Sequence, residues 1–224
     1  LLELYVEKAK PAEPLLDEFG LVIKSPQDQK DHWEERSGIA ITLKYVADLF
    51  SDKELIANFI KFIINEKALG DKESIVAEEF KEAAIEIIDA HGAGTVETLI
   101  PVFEAALSTK KGTEKTDDTI RENVVVLYGT LARHLSSDDA RLSTIVDRLL
   151  KTLDTPSEKV QKAISEVIAP LVHLFKPKVG NYIQQLFKTL FEAPTISRRR
   201  GAAYGIAGLV EGFGISALAE FDVI

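Results

Sequence analysis

The sequence contains no cysteine and no methionine among its 224 residues. The absence of cysteine excludes disulfide bonds and cysteine-based zinc sites, and it fits a reducing compartment such as the cytoplasm. The absence of methionine extends to position 1. It is expected if the chain is a piece of a longer protein, if its methionines have been recoded, or if modified methionines have been left out of the sequence.

Secretory and membrane signals are also lacking. No charged n-region followed by an apolar h-region and a cleavage site opens the chain. The most apolar stretch, residues 201–219, contains Glu211 and five glycines, whereas a membrane span needs about 20 apolar residues with few charges. This composition favours a buried helix that ends at Gly212 or Gly214, and we expect no membrane association.

Positive charge is scarce relative to negative charge, and the net charge is −9 at pH 7. Such a balance argues against a general nucleic-acid binder that works by neutralising phosphates, although a local basic patch can lie on an acidic body. Apolar residues make up 46% of the chain and charged residues 28%, which is enough apolar content to build a core.

A helical repeat is the strongest positive signal. Three stretches superpose, namely IRENVVVLYGTLARHL from Ile120, VQKAISEVIAPLVHLF from Val160 and RRGAAYGIAGLVEGFG from Arg199. A period of roughly 40 residues with two helices per unit is typical of HEAT-type arrays. The sequence therefore predicts an all-α protein, a HEAT-repeat α-solenoid of about five helical hairpins.

The predicted units follow one another along the chain. Residues 1–30 are expected to be an irregular arm or the end of a preceding repeat, and the array covers residues 31–224. Its hairpins are predicted at about 31–70, 72–108, 118–153, 155–192 and 195–224, the last one truncated, so that the natural protein is expected to continue. Residues 109–117 read as an exposed loop, Gly92 and Gly94 as the turn inside the second hairpin, and Pro170 as a kink in a helix.

Nothing in the sequence forms a recognisable catalytic or metal-binding motif. The four histidines are scattered, and none lies four residues from another, so we expect no zinc site. The stretch GAAYGIAGLVEGFG lacks the lysine and hydroxyl residue of a phosphate-binding loop and follows no strand. Its small residues are more simply explained by two helices that approach closely. We therefore expect a protein that is not an enzyme and needs no cofactor.

The run Arg198–Arg199–Arg200 is the sharpest candidate for function. Arg200 falls in register with Arg121 and Gln161, at a position where repeat arrays commonly use a polar side chain to link adjacent repeats. Arg198 and Arg199 are placed near a helix start, where positive charge opposes the helix dipole at a small cost.

Two interpretations of that cost stay open. Arg198 and Arg199 could contact phosphate or an acidic partner, or they could form salt bridges to Glu158 or Glu192. Lys176 and Lys178 would extend the basic surface if they lie on the same ridge of the array.

The chain resembles a family of large HEAT-repeat translational activators of the general amino-acid control pathway. The resemblance rests most specifically on SRRRGAAYGIAGLVEGFGI, and it extends over RENVVVLYGTLARHL, DHWEERSGIAITLK and the opening LYVEKAKP. Members of this family activate the kinase that phosphorylates the alpha subunit of translation initiation factor two.

The resemblance implies a cytoplasmic, non-catalytic scaffold that is a central piece of such an activator. Its partners would be the ribosome, with a local contact to ribosomal RNA, and an ATP-binding-cassette protein, while the kinase would bind regions outside this chain. Two alternatives stay open: the HEAT domain of an elongation-factor-three-like translation ATPase, and a generic peptide-binding HEAT scaffold.

Overall fold

A computed structural model describes residues 1–11, 13–25, 30–108 and 115–221 of the chain. The helices are α1 (Leu2–Ala9), α2 (Trp33–Tyr45), α3 (Lys53–Asn65), α4 (Ser74–Ser108), α5 (Lys115–Ala132), α6 (Ala140–Thr152), α7 (Glu158–Leu171), α8 (Val179–Glu192), α9 (Ile196–Phe213) and α10 (Ala217–Glu220). Short 3-10 turns lie at Ala47–Leu49, Ala68–Gly70, Val172–Leu174 and Lys176–Lys178. Strands β1 (Leu15–Leu16) and β2 (Val22–Lys24) form one antiparallel hairpin. The all-α prediction is confirmed.

The long helix α4 folds back on itself. Arg121 and Asn123 lie two residues apart in α5, yet they bond the carbonyl oxygens of Leu107, near the end of α4, and Leu69, just before its start. A straight helix of 35 residues would separate its ends by about 52 Å, far beyond the reach of these two side chains. The chain therefore reverses within α4, and its two arms lie side by side.

The reversal lies where the sequence predicted a turn, but the helix is not interrupted there. The backbone stays helical through Gly92 and Gly94. A Cβ on Gly92 would lie 2.4 Å from the His134 ring, so a glycine at the bend lets the end of α5 approach closely. The prediction of two separate helices in this unit is wrong, whereas the predicted place of reversal is correct.

The helices stack in two layers with the arms of α4 in both. One layer contains α2, the first arm of α4, α5, α7 and α9, and each of these helices packs on the next. The other layer contains α3, the second arm, α6 and α8, joined by contacts such as Arg141 to Glu97 and Tyr182 to Asp147. A single apolar core runs between the layers from Tyr5 to Ala217. This is the predicted HEAT-type α-solenoid.

Pro170 does not kink the middle of a helix. Helix α7 ends one residue later, at Leu171, and continues as the 3-10 turn Val172–Leu174. Proline lacks the N–H that would bond the carbonyl oxygen of Glu166, and with one helical residue left after it there is no second helical segment to bend. The predicted kink is therefore replaced by a helix terminus.

The first 30 residues are not simply irregular, which corrects that part of the prediction. They contain α1, whose Tyr5 is buried in the core, and the β1–β2 hairpin. The other interpretation of this segment, the end of a preceding repeat, stays a prediction, as do the boundaries proposed for the five units. The predicted loop at 109–117 falls largely outside the described residues, which resume at Lys115 within α5.

Candidate partner-binding surface

The polar position predicted to link repeats does so at α7 and α9. Gln161 is fully buried, and its side-chain amide donates to the carbonyl oxygens of Leu153, Thr155 and Ser197 at 2.6 to 3.0 Å. Its side-chain oxygen accepts from Nε of Arg200 at 2.8 Å. These bonds join the loop after α6 to the starts of both α7 and α9, so the linking role of Gln161 and Arg200 is confirmed.

The superposition missed the residue of α5 that is most similar to Gln161. Asn123 is buried, and its amide donates to the carbonyl oxygen of Leu69 at 2.7 Å, in the loop that precedes α4. Arg121, which the superposition placed in register, also bonds a carbonyl oxygen, that of Leu107. The two residues share in α5 the task that Gln161 performs in α7. A polar side chain two positions after Arg121 was the available signal, and it is too common to be specific.

Arg198 is engaged by an acidic side chain of the preceding repeat. Its Nε and Nη2 each donate to a carboxylate oxygen of Asp154 at 3.1 Å, a bidentate arrangement. Both side chains are about half exposed, and such pairs contribute little to stability in water. The salt-bridge interpretation therefore holds for Arg198, with Asp154 in place of the expected Glu158 or Glu192.

Glu158 instead forms a salt bridge with Arg200. It accepts from Nη1 of Arg200 at 3.3 Å and from the hydroxyl of Tyr204 at 2.9 Å. The bond to Glu158 raises the pKa of the Tyr204 hydroxyl, because the neighbouring carboxylate disfavours a phenolate. Arg200 is thus held inside the array, and it is the least available arginine of the run.

Arg199 differs from both of its neighbours. Its side chain is exposed, and within the part of the chain that the structure describes it forms no hydrogen bond and no ion pair. Helices α2, α5 and α7 carry acidic residues in their first turns, whereas α9 carries none. The start of α9 therefore combines a positive helix terminus with an unpaired guanidinium group.

The two candidate lysines do not extend this arginine surface. Nζ of Lys176 lies 4.8 Å from the ring centroid of Phe213, at the far end of α9, and Lys178 donates to the hydroxyl of Ser143. Phe213 follows Arg198 by 15 helical residues, which corresponds to about 22 Å along the helix axis. Lys176 and Lys178 thus form a second basic location, separate from Arg198 and Arg199.

The glycine-rich stretch of α9 packs closely against α7 and against the loop after α6. A Cβ on Gly201 would lie 2.2 Å from the carbonyl oxygen of Leu153, and one on Gly208 would lie 2.5 Å from that of Ser165. Neither carbonyl is a side-chain atom that could rotate away. The interpretation as close helix approach is confirmed.

Metal and membrane features were searched over the same residues. The described part of the chain holds no group of three or more His, Asp or Glu side chains arranged to bind a metal ion. None of its helices is long and apolar enough to cross a bilayer. His91 forms a hydrogen bond with the carbonyl oxygen of Ala47, and His134 packs on Gly92, so both side chains make contacts within the fold.

A buried charge cluster at the N-terminal end was not foreseen from the sequence. Arg36 is fully buried and pairs with Asp31 at 2.7 Å and with Asp71 at 2.9 Å, while the hydroxyl of Tyr5 donates to Asp71. The hydrogen bonds from Arg36 lower the pKa of Asp31 to about 2, against a smaller opposing effect of burial. The same two carboxylates raise the pKa of Arg36. This cluster ties α1, α2 and the start of α4 together.

The stacked helical pairs, the side chains that link them and the exposed basic residues define a HEAT-repeat α-solenoid, a class of protein that offers extended contact surfaces. Residues 1–133 match the family model described as the HEAT repeats of the stalled ribosome sensor GCN1. The chain belongs to this family.

Individual relatives agree over the whole chain. It is 54% identical over 227 aligned residues to the eIF-2-alpha kinase activator GCN1 of Saccharomyces cerevisiae, with 100% of this chain covered. It is 37% identical to the stalled ribosome sensor GCN1 of Homo sapiens, again over 100% of the chain, and 38% identical to the protein ILITYHIA of Arabidopsis thaliana over 92% of it. The chain spans about 8% of the length of each of these relatives. No solved structure matches it.

Proposed function

We propose that the chain is a non-catalytic scaffold segment of a ribosome-associated translational activator, which stimulates the initiation factor two alpha kinase during amino-acid starvation. The observation that carries this proposal is the 54% identity over the entire chain to a protein named as that kinase's activator. The name of the human relative, a stalled ribosome sensor, supports ribosome association. These names favour the activator over the translation ATPase and the generic peptide-binding scaffold.

The role of this segment follows from its architecture. An α-solenoid spans distance and presents surface, and its apolar side chains are used in stacking one repeat on the next. The proposal places the segment in the cytoplasm, where ribosomes are. It gives the segment contacts to the ribosome and to an ATP-binding-cassette partner, while the kinase binds regions outside this chain.

Arg198 and Arg199 are the proposed ribosome contact, with Lys176 and Lys178 as a second, separate location. Arg199 carries most of the argument, because its guanidinium group is exposed and lacks a partner among the described residues. A phosphate of ribosomal RNA or an acidic side chain would satisfy its donors. Arg198 would have to exchange Asp154 for the new partner.

Co-sedimentation with purified ribosomes across a salt series tests the contact. The native chain is expected to sediment with ribosomes at low salt and to be released as salt rises, because contacts to phosphate release counterions. Arg199→Glu and the double variant Arg198→Glu/Arg199→Glu are expected to weaken binding. Arg199→Glu is the cleaner change, since it breaks no pair within the described chain, whereas Arg198→Glu also faces Asp154.

Lys53→Glu is the matched control, because it reverses one exposed charge at the start of α3, far along the array from α9. It should leave sedimentation unchanged. Equal loss of binding in the control and in Arg199→Glu would mean that only net charge matters, and the assigned site would fall. No sedimentation of the native chain would make the segment a spacer and move the search for contacts to the partner ATPase.

A further inference from the structure

The two layers of the array are held together by different kinds of contact. The first layer consists of α2, the first arm of α4, α5, α7 and α9, and its helices interlock. A Cβ on Gly92 would lie 2.4 Å from the His134 ring, and one on Gly129 of α5 would lie 2.0 Å from Cγ1 of Val167 in α7. Gly208 likewise lets α9 lie against the backbone of α7. Helices packed in this way cannot separate without losing buried apolar contacts.

Helix α6 in the second layer is joined to its neighbours differently. It approaches the second arm of α4 and α8 less closely than the first-layer helices approach one another. No glycine among the described residues brings α6 against either neighbour. The apolar side chains of α6 are buried in the core between the layers: Leu142, Ile145, Val146 and Leu149. We call the two sides of this helix the α4–α6 joint and the α6–α8 joint.

The α4–α6 joint is bridged by two arginines of α6. Nη1 of Arg141 lies 3.4 Å from Oε1 of Glu97, and these side chains are 43% and 89% exposed. Nη2 of Arg148 donates to the carbonyl oxygen of Glu104 at 3.1 Å and to the hydroxyl of Ser108. Nε of Arg148 is buried and, among the described residues, has no hydrogen-bond partner. Exposed ion pairs contribute little in water, so this joint is weakly closed.

The α6–α8 joint is bridged in the same manner. The hydroxyl of Tyr182 donates to Oδ1 of Asp147 at 2.7 Å, and Nζ of Lys178, just before α8, donates to the hydroxyl of Ser143. Described helices lie on both sides of the two joints, with α3 before them and α9 after them. The joints are therefore internal to the array.

We propose that the array bends in one direction, with the first layer as the hinge and the two joints beside α6 as the side that opens. Opening exchanges a few polar bonds for bonds to water, at a small net cost for each. Separating the first layer instead would expose buried apolar surface. The second layer is then the adjustable face of the scaffold, and a partner that binds one curvature better shifts the array toward it. This inference does not rest on the proposed ribosome association.

Distances between spin labels test the direction of bending. The chain has no cysteine, so introduced cysteines are the only labelled sites. Ala105→Cys/Thr144→Cys places one label on α4 and one on α6, and Glu86→Cys/Lys159→Cys joins the first arm of α4 to α7; all four positions are exposed. Double electron–electron resonance is expected to show a longer distance in the second-layer pair at high salt, because salt screens exposed ion pairs. The first-layer distance should stay unchanged.

Substitutions reproduce the opening without salt. Glu97→Gln/Arg148→Met removes the bonds across the α4–α6 joint and is expected to lengthen the second-layer distance by several ångström at low salt, as in hinge motions. Glu166→Gln/Arg133→Met is the matched control, because it removes one glutamate and one arginine that pair outside the joints. The control should leave both distances unchanged. Circular dichroism checks that helix content is the same in all variants.

Two results would overturn the proposal. One is a second-layer distance that stays fixed both at high salt and in Glu97→Gln/Arg148→Met. The other is equal lengthening of the two distances, which would mean that the whole array loosens and that the first layer is not a hinge. Ribosomes are absent from these measurements, so the outcome is separate from that of the sedimentation experiment.

Discussion

At the scale of single residues, Arg36 is the side chain on which the N-terminal end depends most. Its guanidinium group is fully buried and bonds Asp31, Asp71 and the carbonyl oxygen of Lys8. Asp71 is nearly as inaccessible, with a side chain only 3% exposed. A buried ion pair adds little net stability as a whole, but removing one partner leaves a charge without solvent and without compensation.

Arg36→Met is therefore expected to destabilise the chain by about 3–5 kcal/mol. Methionine fills a similar volume, so the loss comes mainly from the unpaired Asp71 carboxylate. Urea unfolding followed by circular dichroism measures the change. Arg133→Met is the control, since Arg133 pairs with Asp89 at a half-exposed position and its loss should cost less than about 1 kcal/mol. Equal effects of the two substitutions would contradict the importance of burial.

The pH dependence of stability belongs to the same cluster. The pKa of Asp31 is lowered from 3.8 to about 2 in the folded chain. A lowered pKa means that the unfolded chain binds the proton more tightly, so the stabilisation is present above about pH 4 and is lost as the pH falls toward 2. The shift corresponds to about 2 kcal/mol.

Asp31→Asn should accordingly be less stable than the native chain at pH 6, and about half of that gap should be gone by pH 3. Urea unfolding of the two proteins at pH 6, 4 and 3 measures this difference in the free energy of unfolding. A gap that stays constant across this range would show that the carboxylate stabilises the fold through its shape and not through its charge.

At the scale of helices, the contact between α7 and α9 depends on glycine. Gly208→Ala would place a methyl group 2.5 Å from the Ser165 carbonyl oxygen, and because that atom belongs to the backbone, the two helices would have to separate. Overpacking of this kind typically costs about 1–3 kcal/mol.

Gly38→Ala is the matched control within α2, where no atom beyond the neighbouring helix backbone lies within 4 Å of the added methyl group. Here alanine should stabilise the helix by about 0.5–1 kcal/mol, because glycine loses more freedom on folding. Opposite signs for the two glycine-to-alanine changes in thermal unfolding are the expected result. Destabilisation by both would remove the packing explanation for Gly208.

The helical character of the chain and the positions of most helices could be predicted from the sequence, because apolar spacing and capping residues are local signals. The continuity of α4 was not. Gly92 and Gly94 predict a turn by their composition, yet the packing of His134 on Gly92 lets a helical backbone make the reversal. Such a bend depends on a neighbour 42 positions away, and no local pattern reports it.

At the scale of the whole molecule, the repeat class could be read from three superposed stretches because each repeat solves the same packing problem. The partners of the arginine run could not be read in the same way. Arg198 pairs with Asp154, 44 positions earlier, whereas the sequence had suggested Glu158 or Glu192. A long arginine side chain can reach several carboxylates of the preceding repeat, and the sequence does not tell which of them lies within hydrogen-bond distance.

The hairpin before the first repeat was missed for a related reason. Pro11 and Pro14 interrupt any long period, and strands of two and three residues are too short to show an alternation. The element is identified by the hydrogen bonds that the Asp17 carboxylate accepts at its tip, and these contacts are visible only in the three-dimensional structure.

The uninterrupted course of α4 has a consequence for proteases. Enzymes that cut folded proteins nick exposed loop tips, which can be drawn into an active site as extended chain. Between Ser74 and Ser108 the chain changes direction without offering such a tip, because the backbone at the bend is helical and Gly92 is buried against His134. This unit should survive limited digestion as one piece, and cuts that release it should fall outside it.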